Sequence, residues 1–201
     1  MLIGARARSG GGPRGGRGAA LLEVMVAILI TSFGLLALAG LQTKMNAALL
    51  EAYQRAQALV LLEDMTQRIQ VNQSSSVNYV AASLGTGDAL PVDCTTIASP
   101  TRANLDRCEW SNALKGAAEL NSDGTENLGA MIGARGCIEQ LQAANPATGV
   151  CLPAIYRVTV AWQGVNATVA PAVACGLNLY GDDNLRKTVS SRVIVPLQAC
   201  S

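Results

Sequence analysis

The stretch RGAALLEVMVAILITSFGLLALAG, residues 17–40, decides how this chain is organised. Residues 24–41 carry no charge, and residues 19–41 would form a helix about 34 Å long, enough to cross a bilayer. A carboxylate, Glu23, nevertheless lies at the start of this apolar run. An ionised side chain in the middle of a hydrocarbon layer costs roughly 2.5–3.5 kcal/mol. Glu23 therefore needs a partner.

The segment before this run is basic and rich in glycine. Four of the fifteen basic residues of the 201-residue chain precede Gly18, whereas no acidic residue does. Residues 1–18 show no apolar periodicity and are expected to form a leader that its positive charge holds in the cytoplasm. Without the leader the chain would carry eleven basic and fourteen acidic residues. That balance offers no basic footprint for nucleic acid.

The helical pattern continues beyond residue 41. From Met45 to Ile69, apolar residues recur every three or four positions with polar and charged residues between them, which indicates an amphipathic helix. No proline occurs in residues 19–90. The sequence therefore predicts one continuous helix from about residue 19 to about residue 73, ended by the polar segment NQSSSVN at residues 72–78.

The remainder predicts a small antiparallel sheet. AIYRVTVAWQG, residues 154–164, is the clearest strand, because four apolar side chains alternate with polar ones: Tyr156, Val158, Val160 and Trp162. A second strand is predicted at residues 192–195, before Pro196. Residues 79–150 are expected to be mainly loops, with helical fragments around residues 105–120 and 131–144. The predicted fold class is α+β, with the long helix packed on the sheet.

All six cysteines lie between residues 94 and 200, with no histidine in the chain and no C-x-x-C pair to indicate a zinc site. An even count downstream of a membrane segment favours disulfides in an oxidising compartment over free buried thiols. Several connectivities are open. Short-range closure favours the pairs Cys94–Cys108, Cys137–Cys151 and Cys175–Cys200.

Catalytic chemistry is not indicated. The chain lacks histidine, the commonest general base near neutral pH. Its carboxylates are scattered, and its glycine-rich start is not followed by the strand, turn and helix of a phosphate-binding loop. We therefore expect a structural protein rather than an enzyme, without a cofactor or a metal.

The segment GAALLEVMVAI, residues 18–28, resembles the class III signal of type IV pilins and pseudopilins. In that family a basic leader ends in glycine, glutamate is the fifth residue of the mature chain, and an apolar helix follows. The resemblance implies that a prepilin peptidase cleaves between Gly18 and Ala19 and methylates the new N-terminus at Ala19. Glu23 would be the family's assembly glutamate. The family usually begins its mature chain with phenylalanine, so Ala19 is a departure that bears on methylation.

Cleavage would also supply the partner that Glu23 needs. The new α-amine of Ala19 would lie one turn before Glu23, and an ion pair in an apolar surrounding is tolerated where a lone charge is not. The amine could belong to a neighbouring subunit of a filament, in which case the pair would set the axial register. It could also belong to the same chain.

Two further segments, YRVTVAWQG at residues 156–164 and SRVIVPLQ at residues 191–198, resemble minor pilins of the PilV type. This implies a single-pass protein of the bacterial inner membrane, with residues 42–201 in the periplasm, that later enters a type IV pilus on the cell surface. Implied partners are the prepilin peptidase and other minor and major pilins, bound through the helix at residues 19–41. Such subunits form a tip or priming complex for pilus assembly, twitching motility and attachment.

Two alternatives remain. A minor pseudopilin of a type II secretion system would share the N-terminal helix. The tripeptide at residues 37–39 also resembles a signal peptidase site, so the chain could be a secreted, disulfide-rich binding or hydrolytic domain released after Ala39. The length of the apolar run, Glu23 at its start and the helical pattern through the cut favour the intact helix.

Overall fold

The computed structural model describes residues 17–98, 100–117, 122–123 and 131–197. Contacts within the chain form two compact units, Met1–Asn46 and Ala47–Ser201. The described part of the first unit is helical throughout. The second unit contains the continuation of that helix, a second helix and a four-stranded sheet. Its architecture is α+β, as predicted.

The helix α1 extends without interruption from Arg17 to Val71. This confirms the predicted continuous helix, because each end lies about two residues from the predicted one. No proline removes an N–H from its backbone ladder. Beyond Val71 the polar segment forms a 3-10 helix, Gln73–Tyr79. Its three consecutive serines favour such a local turn, because their hydroxyls compete for nearby backbone groups.

The four strands are antiparallel and follow one another across the sheet in chain order: β1 (Ala81–Gly85), β2 (Arg135–Gln142), β3 (Ala154–Gln163) and β4 (Arg186–Val195). The clearest predicted strand is confirmed as β3, which is paired on both sides. The second predicted strand exists but is longer than expected, because β4 begins at Arg186 rather than near residue 192. It ends before Pro196, which has no N–H for the ladder.

The core of the second unit lies between α1 and one face of this sheet. The contributing α1 side chains are buried and spaced three or four residues apart, so they form one stripe: Ala58, Leu62, Met65 and Ile69. They belong to the same hydrophobic cluster as the four β3 side chains that the sequence placed on one face: Tyr156, Val158, Val160 and Trp162. The packing of the amphipathic half of the helix on the sheet is confirmed.

The segment between α1 and β3 contains two strands that the sequence did not predict. Residues 131–144, expected to include a helical fragment, form β2 instead, and β1 lies where loops were expected. Glu139, Gln140 and Leu141 all favour helix locally. This preference is overridden because β2 pairs with β3 along nearly its whole length.

The helix α2, Arg102–Leu114, confirms the other expected helical fragment, although it ends earlier than predicted. Its N-cap is Thr101, whose side-chain oxygen accepts the N–H of Asn104. The indole of Trp110 lies directly over Gly136 of β2, where an added Cβ would meet the ring at 2.2 Å. The Nε1–H of Trp110 also donates to the backbone oxygen of Leu61 at 2.8 Å. Trp110 thus joins α2 to both the sheet and α1.

A buried carboxylate also joins α1 to α2. Asp106 is 1% exposed. It accepts a hydrogen bond from Arg68 at 2.9 Å, pairs with Arg102 at 3.0 Å and accepts the hydroxyl of Tyr79. Burial and the bond to Asp106 raise the pKa of Tyr79 to about 12, so its hydroxyl remains a donor. Asp106 has the charged and neutral donors that a buried carboxylate requires.

Two disulfides are defined within the described residues. Cys94–Cys108 fastens α2 to the segment before it and confirms one expected pair. Cys137–Cys175 joins β2 to the connection between β3 and β4, with the two Cα atoms 5.8 Å apart. The connection folds back over the sheet face that is opposite the core and brings Cys175 to β2. Distance in space, rather than distance along the chain, selects this pair.

The other two expected pairs, Cys137–Cys151 and Cys175–Cys200, are therefore wrong. Cys151 is disulfide-bonded, but not to Cys137. Cys200 lies outside the described residues.

A single buried arginine fastens the connection between β3 and β4. Arg186 is 1% exposed. Its guanidinium donates to the backbone oxygens of Pro171, Val173 and Cys175 and pairs with Asp183 at 2.7 Å. Several donors of its fixed planar group are thereby satisfied, which holds the connection in one conformation.

Replacing Gly136 by alanine tests the close approach of Trp110. Gly136→Ala should destabilise the second unit by about 1–3 kcal/mol, because its Cβ overlaps the indole and the core must shift. The midpoint of thermal unfolding of the full chain in detergent, followed by tryptophan fluorescence, should fall by several degrees. Gly34→Ala is the matched control, since its Cβ meets nothing within 4 Å. Equal midpoints for the two variants would contradict this packing.

Candidate membrane-spanning and assembly segment

The residues of the predicted processing and assembly motif lie in the first two turns of α1. Because the helix begins at Arg17, the peptide bond between Gly18 and Ala19 lies in its first turn. Glu23 follows Ala19 by four residues, about 6 Å further along the axis and on the same side of the helix. Glu23 is exposed, and it makes no ion pair within the described residues. The backbone thus places Glu23 one turn from the predicted new N-terminus.

The helix that carries the motif exposes apolar side chains on all sides. It is long and apolar enough to cross a membrane, with a mean hydropathy of 2.5 in its most apolar part and none of that part buried. Every large apolar side chain from Leu21 to Leu41 is at least 45% exposed. Monomeric soluble proteins rarely expose an apolar surface of this extent. The surface therefore suits lipid or the helices of other proteins.

Two hydroxyl groups on this surface bond to the helix's own backbone. Thr31 and Ser32 each donate to the carbonyl oxygen four residues earlier, at distances of 2.9 and 2.6 Å. A hydrocarbon layer offers no acceptor, so these internal bonds let the hydroxyls enter it without being left unpaired. These hydroxyls are not among the residues predicted from sequence, although serine and threonine within an apolar helix are a visible signal.

A cluster of metal-binding side chains is absent from the described residues. No group of three or more histidine, cysteine, aspartate or glutamate side chains in this part of the chain could hold a metal ion. The buried carboxylate of Asp106 is bonded to arginines and a tyrosine. The start of α1 is the feature whose residues and exposure together point to a function.

Comparison with protein-family models, curated proteins and solved structures finds no match to this chain. The motif, the exposed helix and the fold are therefore the features that point to a function.

Two charges placed in the middle of the apolar segment test whether it spans a membrane. Leu29→Arg combined with Phe33→Arg should add about 5–7 kcal/mol to the cost of insertion, since each arginine costs roughly 2.5–3.5 kcal/mol at a helix centre. We expect the unmodified chain in the membrane pellet after alkaline extraction and the variant mainly in the supernatant or degraded. Val60→Arg is the control, because Val60 lies beyond the span and is exposed. Identical behaviour of all three chains would contradict a membrane span.

Proposed function

We propose that this chain is a minor pilin, a structural subunit of a type IV pilus that acts in a tip or priming complex. The observation that carries the proposal is the arrangement at the start of α1: a basic leader ending in Gly18, then Ala19, then Glu23 one turn later, on a helix with exposed apolar side chains. The α+β unit with its disulfides is compatible with the periplasmic domain of such a subunit.

In this proposal residues 19–41 span the inner membrane, with the leader in the cytoplasm. The excess of arginine before Gly18 favours that orientation, since cytoplasmic flanks of membrane segments are enriched in basic residues. Residues 42–201 then lie in the periplasm, where disulfides form and persist. Assembly would carry the subunit from the bilayer into the pilus, with helices of other pilins replacing lipid around the span.

The proposal gives Glu23 a specific role. Prepilin peptidase would release the α-amine of Ala19, and the carboxylate of Glu23 in an incoming subunit would pair with the amine of its neighbour. Both charges are costly in an apolar bundle when alone and tolerable when paired. A single paired position also fixes how far one helix is displaced along the next. The amine of the same chain can serve while the subunit waits in the bilayer.

Mass spectrometry of the exported chain tests the cleavage site. We expect the mature chain to begin at Ala19, and Gly18→Glu to block processing and leave the longer chain in the membrane. A mature chain that begins at Gly40 would instead support a secreted domain released after Ala39. A Gly18→Glu chain with the mass of the processed wild type would refute the assigned site.

Substitution of Glu23 tests the pairing. Glu23→Ala should leave leader removal intact but reduce recovery of the subunit in sheared pili by about tenfold or more, because removing one partner of a buried ion pair costs about 3–5 kcal/mol. Glu63→Ala is the matched control, since Glu63 is exposed on the amphipathic part of the helix. Equal recovery of both variants would refute the pairing. Recovery of the wild type with type II secretion components, and not with pili, would favour the pseudopilin alternative.

A further inference from the structure

A cavity of about 440 Å³ lies in the second unit, at the end of the sheet where β3 leaves it and β4 enters. Glu51 and Arg55 of α1 line one side, and Lys187 of β4 lines another. Trp162 contributes an apolar wall, and Thr168 belongs to the connection between the two strands. No residue of the segment 19–41 is among the lining residues of this cavity.

The lining carries more positive charge than negative. Glu51 is engaged by Asn166, whose backbone N–H and side-chain amide donate to it at 2.8 and 3.2 Å. Lys187 donates to the hydroxyl of Thr168 at 2.6 Å, which leaves its charge uncompensated there. Arg55 is exposed and makes no ion pair with any described residue.

The third cation of the lining does not add to this excess, because Arg186 is already paired with Asp183. Glu51 carries one negative charge, whereas Arg55 and Lys187 together carry two positive charges. The lining therefore has an excess of one positive charge. A ligand with a single negative charge matches that excess more closely than a dianion does.

The walls of the cavity are held in place without a ligand. Arg186 fixes the carbonyls of the connection, as described above, and Gly164 N–H donates to the backbone oxygen of Leu185 at 2.8 Å. Gly164 also leaves room for the stem of Lys187, since a Cβ there would lie 2.5 Å from its Cε. A site whose walls are fixed in advance loses little conformational entropy on binding.

We propose that this cavity binds the side-chain carboxylate of an acidic residue of a protein partner. Arg55 supplies a planar guanidinium that can donate to both oxygens of a carboxylate, and Lys187 supplies a second positive charge. The apolar surface of Trp162 and Pro171 accommodates the methylene groups that carry the carboxylate. This inference does not depend on the proposed pilin function.

The chain's two tryptophans provide the measurement. Trp110 does not line the cavity, and its Nε1–H is bonded to the backbone oxygen of Leu61. Trp162 lines the cavity, and its Nε1–H has no acceptor within the described residues. The full chain in detergent, labelled with ¹⁵N, should give two indole signals that a Trp162→Phe variant assigns. The probe is N-acetyl-glutamate amide, which carries only the side-chain carboxylate. Its titration at constant ionic strength should move the Trp162 signal saturably, with a dissociation constant in the millimolar range, and leave Trp110 in place.

Two variants and two further probes decide the outcome. Arg55→Gln should weaken binding by about tenfold, as expected for loss of a charged hydrogen bond, whereas Arg192→Gln, an exposed cation on the outer face of β4, should not change it. The neutral N-acetyl-glutamine amide should not bind. Equal titrations with Arg55→Gln and wild type, or with the neutral probe and the acidic one, would overturn the proposal. Saturation by inorganic phosphate but not by the acidic probe would overturn the assigned ligand class.

Discussion

The contact between the apolar stripe of α1 and the inner face of β3 is the interaction on which the second unit depends. A four-stranded sheet with one apolar face needs a covering layer, and an amphipathic helix needs a surface for its stripe. Met65 and Ile69 meet this need from the helix, and Tyr156 and Val158 meet it from the sheet. The polar contacts that orient α2 also begin on this part of α1. Arg68 reaches Asp106, and the backbone of Leu61 accepts from Trp110.

A carboxylate that is withdrawn from water needs a group that compensates its charge. This requirement applies to Asp106 in the folded unit and to Glu23 in the proposed pilus. Asp106 is withdrawn from water, and Arg68 and Arg102 compensate its charge. Glu23 is exposed and without an ionic partner in the described part of the chain. Placed in an apolar bundle, Glu23 would need the same compensation, and the α-amine created at Ala19 is the group that the proposed processing supplies. In the proposed assembled state the charge of Glu23 would thus be compensated, as the charge of Asp106 is in the folded unit.

The connection between β3 and β4 owes its shape to two fixed points. Cys137–Cys175 attaches it to β2, and Arg186 holds three of its carbonyls. Thr168 and Pro171 of this connection line the cavity beside α1. A long connection with little regular structure can therefore keep one conformation, because a disulfide and a buried guanidinium replace the hydrogen-bond ladder that would order a strand.

The sequence by itself determined the elements whose signals are local. The absence of proline and the apolar periodicity specified α1, the alternation in residues 154–164 specified β3 and its inner face, and the order of Gly18, Ala19 and Glu23 placed the motif on the first turns of the helix. Tertiary structure alone decided the rest. β2 is a strand in spite of helix-favouring residues, because β3 offers it a partner across the sheet. Cys137 bonds to Cys175 because the connection folds back over the sheet, and the cavity exists because residues far apart in sequence meet there. Strand pairing, disulfide choice and cavity lining depend on distances in space, and a pattern read along the chain does not contain those distances.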